Sequence, residues 1–209
     1  MGLADIGYLV VSFDASAHGS RGALPDLWNA CRAGFPGTFF SVLRETVGDT
    51  EKLYSALRRD PQVDLSRMAV VGGSMGAMVC LMAIPRLAGL KAAVSLAGTC
   101  GLATWYEETS GHEVYQFPKR PLPPEVVSEL DGLDPIRRPE DYPPVALLMM
   151  HGEQDLVVPP RGQQELYERL KPLYESRGVP LELRLYPTLG HETSPELIRD
   201  MHEWLRANL

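Results

Sequence analysis

The chain has 209 residues, 44% of them hydrophobic and 22% charged, a length and composition that suit one globular domain with a sizeable core. Its net charge of −7 and pI near 5.3 argue against a nucleic-acid binder, which would carry a basic stripe, and the Arg58-Arg59 and Arg137-Arg138 pairs are too isolated to form one. Three cysteines (Cys31, Cys80 and Cys100) form neither an even framework nor a CxxC, which points to a reducing compartment.

The opening MGLADIGYLV has no basic n-region and no cleavage pattern, and Ile6 breaks the myristoylation pattern. The densest apolar run, VALLMM at 145–150, is strand-sized and not membrane-sized. The expectation is a soluble cytoplasmic protein with no membrane and no nucleic-acid partner.

In chain order, five short apolar runs read as strands: 6–13, 68–73, 92–97, 145–150 and 181–186. The middle three are nearly continuous in hydrophobicity, as in parallel strands buried on both faces. The last alternates Leu181, Leu183 and Leu185 with Glu182, Arg184 and Tyr186, the pattern of an edge strand with one wetter face. Helical spacing of Phe40, Leu43, Val47, Tyr54 and Leu57 predicts a helix across 39–60, with Gly48 as an interruption. Residues 75–87 are apolar nearly all round and read as a buried helix ending or kinking at Pro85. Two amphipathic helices follow at 161–177 and 195–208, the second opened by Ser194-Pro195. Alternating strands and helices predict an α/β fold with a mostly parallel sheet of about five strands.

Residues 99–144 break this rhythm with Trp105, Tyr106, His112, Tyr115 and Phe117, then Pro118, Pro121, Pro123, Pro124, Pro135 and Pro139. The stretch reads as a cap-like insertion within a single domain spanning 1–209. Its four aromatics are an expected apolar wall for substrate, or else a miniature core of the cap itself.

The chemistry centres on GGSMG at 72–76. A Gly-x-Ser-x-Gly pentet is weak as a pattern, but here a strand leads in and a helix leads out. A serine at the tip of such a turn takes a strained backbone angle, and Gly72 and Gly76 are expected to relieve the crowding. The turn aims the backbone N–H of Met75 at a developing oxyanion. Phosphate binding is the rival reading, but GGSMGA is neither GxGxxG nor a P-loop. A serine needs a base and an orienting acid. His191 lies between the last strand and the last helix, whereas His151 ends the fourth strand and is expected to pack or hydrogen-bond there. His202 falls within the final helix, His112 in the insertion, and His18 after the first strand. Asp155, just beyond the fourth strand, is the candidate acid, with Glu153 its nearest rival. Ser74, Asp155 and His191 then follow in chain order, each after a strand.

GYLVVSFDASAHGSRG, VVGGSMGA, HGEQDLVVP and LGHE together resemble the α/β-hydrolase family, in its branch of small bacterial esterases, dienelactone hydrolases and prolyl-oligopeptidase-like proteins. The resemblance runs from residue 6 onward. It implies Ser74 as nucleophile, Asp155 as acid, His191 as base and Met75 N–H as one oxyanion donor. The chain departs from the family pattern at the front, where members carry two or three strands ahead of the segment resembling residues 6–13, including a His-Gly loop that supplies the second oxyanion N–H. His18-Gly19 fits the loop of the following strand better than that loop. An unpaired first strand would invite dimerisation. The expected activity is hydrolysis of small-molecule carboxylic esters, without cofactor or metal, with amides as neighbouring substrates. The competing reading is a weakened hydrolase remnant that binds small molecules or a protein.

Overall fold

A computed structural model describes residues 2–34, 37–109, 121–142 and 144–209. Four parallel strands form its sheet in the order β1 (Ala69–Gly73), β2 (Ala92–Leu96), β3 (Ala146–Gly152) and β4 (Leu181–Tyr186). In register, Ala69 pairs with Ala92, Ala92 with Ala146, and Leu147 with Leu181. Seven α-helices accompany the sheet among the described residues: α1 (Leu24–Gly34), α2 (Gly37–Leu57), α3 (Met75–Ala83), α4 (Leu102–Thr109), α5 (Pro124–Leu133), α6 (Arg161–Glu175) and α7 (Pro195–Asn208).

The continuous hydrophobicity of β2 and β3 follows from cover on both faces. Ala93, Leu147 and Met149 face a core built with α2, α3 and α6, while Ala92, Val94, Ala146, Leu148 and Met150 face Leu197, Met201 and Trp204 of α7. Every residue of β2 and β3 is buried, as two-sided cover requires. β4 is an edge strand and is mostly half-buried.

One helix continues against expectation, and another ends at its predicted proline. α2 runs unbroken through Gly48. A mid-helix glycine costs about 1 kcal/mol relative to alanine, whereas burying Phe40, Leu43, Val47 and Tyr54 contributes about 1.5–3 kcal/mol for each large apolar side chain. Packing therefore decides the matter. α3 gives way to a 3-10 turn over Ile84–Arg86, where Pro85 lacks the N–H that would reach the Leu81 carbonyl. The Tyr142 hydroxyl donates to that carbonyl instead, at 2.7 Å, and so ties residues after α5 to the end of α3.

The predicted first strand is not formed. Residues 8–13 belong to no ladder, and Leu9 is 74% exposed, with Val10, Val11 and Phe13 also exposed. A run of apolar residues becomes a strand only when a neighbour takes its backbone hydrogen bonds, and the described sheet stops at β1. The sheet therefore has four strands where the sequence pattern predicts five.

The insertion contributes α4 and α5. Trp105 and Tyr106 are buried in the main core, with the Trp105 ring centroid 5.4 Å from that of Phe39 at a tilt of 39°, so these two aromatics pack the domain and line no exposed wall. His112, Tyr115 and Phe117 lie outside the described residues. The Asp134 carboxylate accepts the Gly101 and Leu102 N–H groups at 2.8 and 2.7 Å, holding the start of α4 to the end of α5.

Candidate active site

Because all four strands are parallel, the turns leaving their carboxyl ends share one edge of the sheet. Ser74 follows β1, Asp155 follows β3 and His191 follows β4. The structure brings these three together.

Ser74 sits between β1 and α3 with φ 53° and ψ −121°. That conformation costs of order 1–3 kcal/mol for a residue with a Cβ. Its N–H donates to Leu96 O at 2.8 Å, extending the β1–β2 ladder by one rung, while its carbonyl accepts the Ala77 N–H and so starts α3. The turn is thus clamped from both sides. Only one of the two glycines relieves crowding. A Cβ on Gly72 would lie 2.0 Å from Gly76 O, whereas a Cβ on Gly76 would meet nothing within 4 Å. Met75 is the first residue of α3, where a helix leaves its N–H without an intrahelical acceptor, and no partner for it occurs among the described residues.

His191 Nε2 is 2.8 Å from Ser74 Oγ, and His191 Nδ1 is 2.7 Å from Asp155 Oδ2. An ionised carboxylate only accepts, so Nδ1 carries the ring proton and Nε2 is left to accept from the serine hydroxyl. The loop before His191 is docked on the turn after β3: the Gln154 N–H donates to Leu189 O at 3.0 Å and the Gln154 side-chain amide to Pro187 O at 2.9 Å. Gly152 is needed at that approach, because a Cβ there would lie 2.3 Å from Leu189 O.

Asp155 is buried, and its carboxylate is well provided with donors. Oδ1 accepts the N–H groups of Val157 and Val158 at 2.9 and 2.8 Å, and Oδ2 faces His191. Burial opposes its charge, but hydrogen bonds from His151, His191 and the Val158 N–H outweigh burial and hold the carboxyl well below the usual Asp range. Glu153, the rival acid, is exposed, and its N–H is spent on Tyr186 O.

Of the other described histidines, only His151 lies at this site. His18 Nδ1 bonds Ser16 O at 2.8 Å, and His202 is buried in α7. His151 is fully buried, as its place on β3 suggests, with Nε2 2.7 Å from Val158 O and 3.3 Å from Asp155 Oδ2. Two residues that sequence reasoning passed over complete this cluster: Gln163, 3.1 Å from His151 Nδ1, and Ser95, 2.6 Å from the Gln163 amide. The signal available for Gln163 was a polar residue on the apolar face of an amphipathic helix. Cys100 is a buried thiol that donates to Gly162 O, and burial pushes its pKa well up.

A cavity of about 590 Å³ lies between α1, α2 and residues 16–23, lined by Ser16, Asp26, Thr38, Ser41 and Glu45 among others, but by none of Ser74, Asp155 and His191. Among the described residues no group of three or more His, Cys, Asp or Glu side chains is arranged to hold a metal ion. Nor is any described helix long and apolar enough to cross a membrane.

A family model for the prolyl oligopeptidase family matches residues 43–209. The chain belongs to that family. Relatives agree in sequence and fold. A Bacillus subtilis (strain 168) protein named "Putative esterase YitV" is 25% identical over 214 residues, covering 99% of this chain and 81% of its own. The structure of TT1662 from Thermus thermophilus superposes with a TM-score of 0.74 at 20% identity, over 99% of this chain and 79% of that one. Acetyl xylan esterase from Paenibacillus sp. R4 is 25% identical with a TM-score of 0.67, over 80% of this chain and 54% of that one. The fold is an α/β-hydrolase fold with a shortened sheet, and the family is one of hydrolases of the esterase and peptidase type.

Proposed function

We propose that this chain hydrolyses small-molecule carboxylic esters through an acyl-enzyme, with Ser74 as nucleophile, His191 as general base and acid, and Asp155 as the group that orients the imidazole. The observation that carries this reading is the unbroken hydrogen-bonded line from Ser74 Oγ through His191 to Asp155 Oδ2, at 2.8 and 2.7 Å.

In this reading Ser74 Oγ attacks the ester carbonyl as its proton passes to His191 Nε2. Asp155 stabilises the imidazolium that results, and the ring then returns the proton to the leaving alkoxide. Water repeats the sequence in reverse on the acyl-serine. The oxyanion forms beside the start of α3, where the free Met75 N–H and the positive end of the helix dipole favour negative charge. One such donor contributes about 2.7–4 kcal/mol of transition-state stabilisation. Ester hydrolysis is preferred to amide hydrolysis in this proposal because the esterase-named relative covers nearly the whole of this chain.

Intact-mass spectrometry after incubation with a fluorophosphonate tests the assignment. One adduct is expected on the wild type and none on Ser74→Ala, with turnover of p-nitrophenyl acetate lost in the same variant. A folded wild type that takes no adduct refutes it.

A further inference from the structure

The hydrogen-bonded line at the site does not stop at Asp155. Behind the carboxylate, His151 Nε2 lies 3.3 Å from Oδ2 and 2.7 Å from Val158 O. His151 Nδ1 lies 3.1 Å from Gln163 Oε1, and Gln163 Nε2 lies 2.6 Å from Ser95 Oγ and 3.4 Å from Ser95 O. His151, Gln163 and Ser95 are each 0% exposed, so bulk solvent reaches none of them.

The chemistry of the partners dictates where the protons sit. A backbone carbonyl and an ionised carboxylate both only accept, so His151 Nε2 must carry a proton. If the ring is neutral, its Nδ1 is bare and needs a donor. The two ends of the Gln163 amide are equal in shape, and with its oxygen and nitrogen exchanged it presents the NH₂ to Nδ1 and accepts the Ser95 hydroxyl proton on its oxygen. His151 Nδ1 and the Ser95 hydroxyl are then both satisfied without a buried cation. The alternative is an imidazolium donating from both nitrogens, which places a second positive ring next to Asp155 when His191 becomes charged.

Resting on the reading in which Asp155 orients His191, we propose that His151 is a positioning residue for the reaction: a neutral ring, locked as its Nε2–H tautomer by Gln163 and Ser95, that shares one proton between Val158 O and Asp155 Oδ2. It holds the carboxylate in one rotamer and takes up part of its charge, which limits how strongly Asp155 draws a proton onto His191. The lock is rigid for a structural reason. Gly162, next to Gln163, is packed so closely on the turn after β2 that a Cβ there would lie 2.0 Å from Thr99 Oγ1. That contact seats the first turn of α6, and with it the amide.

Few charges compete. Among the described residues Asp155 is the one ionisable group in contact with His151; α6 presents Gln163, β2 presents Ser95, and β4 sets Leu185 opposite in register. His191 is faced by Asp155 and Ser74, while Glu153 and Glu192 on the adjoining turns are exposed.

Long-range ¹H–¹⁵N spectra of the histidine rings, recorded from about pH 5 to about pH 9 across the range where histidine titrates, test this directly. The five rings are assigned by substitution. His151 is expected to give a single Nε2–H tautomer. In His151→Phe the titration of His191 is expected to move up, since the carboxylate keeps its full charge for that ring, and His151→Gln, which retains an N–H near Nε2, is expected to return it toward wild type. If His151→Phe does not fold, Gln163→Leu carries the same test, and its His151 ring is expected to gain an Nδ1–H signal. An imidazolium or Nδ1–H tautomer in wild type overturns the proposal. So does a His191 titration in His151→Phe that stays put or moves down, or a His151 ring indifferent to Gln163→Leu. A merely structural His151 would lower stability without moving the His191 titration. The spectra need no turnover, so they report on this network whatever the fluorophosphonate test returns.

Discussion

The two glycines that flank Ser74 look equivalent in sequence but are not equivalent in the structure, and the difference is measurable. An alanine methyl at Gly72 would sit 2.0 Å from Gly76 O, 2.3 Å from Gly76 C and 2.7 Å from Ala77 N. All three atoms are backbone in the first turn of α3, so no side chain can swing aside. Reaching ordinary contact at 3.4 Å requires the strand and helix to part by more than 1 Å at the point where Ser74 is held from both sides. Overpacking of this kind costs about 1–3 kcal/mol, occasionally more. An alanine at Gly76 meets nothing within 4 Å, and replacing glycine by alanine within a helix is worth about 0.5–1 kcal/mol in its favour. Urea unfolding of the two variants should therefore give shifts of opposite sign, with Gly72→Ala less stable than wild type and Gly76→Ala equal or more stable. Gly72→Ala should also lose fluorophosphonate labelling in proportion to the displacement of Ser74. Two variants of equal stability would refute the steric argument.

Two further expectations follow from the environments of single groups. The Asp155 carboxyl titrates below its unfolded value, because donors from His151, His191 and Val158 outweigh burial. Its contribution to stability is thus fully present above about pH 4, the unfolded range for Asp, and is lost as pH falls toward its lower folded value. Urea midpoints of wild type and Asp155→Asn should differ most near neutral pH and converge on acidification; a gap that widens in acid would contradict this sign. The thiols offer the second check. Burial pushes Cys80 up to about 12, and Cys31 and Cys100 are raised by burial as well. Ellman's reagent should label none of the three in the native protein and all three in denaturant, and prompt labelling of the native chain would show that the core around α3 opens.

Much of the arrangement was legible because it is local. The strand before Ser74, the helix after it, the all-round apolar α3 and the Ser194-Pro195 start of α7 are properties of adjacent residues and of periodicity. Ser194 indeed accepts the Leu197 N–H at 3.2 Å. The choice of Asp155 over Glu153 and of His191 over His151 followed from position along the chain, since parallel strands deliver their carboxyl-end turns to one edge. Periodicity alone erred at residues 8–13, where the pattern of a strand has no ladder to join, and at Gly48, where the burial of four large side chains overrides a weak residue.

What the sequence by itself determined is the kind of fold, a parallel α/β sheet, and the order and types of the groups that converge at its edge. What only the tertiary structure decided is which contacts those groups make. That Gly72 and not Gly76 carries the close approach, that Trp105 and Tyr106 turn into the core, and that Ser95 and Gln163 stand behind His151 all depend on distances between segments far apart in the chain. Hydrophobic periodicity reports which face of an element is buried, but not what it is buried against. The partner of a buried polar atom is set by packing across the sheet, and no spacing along the chain encodes it.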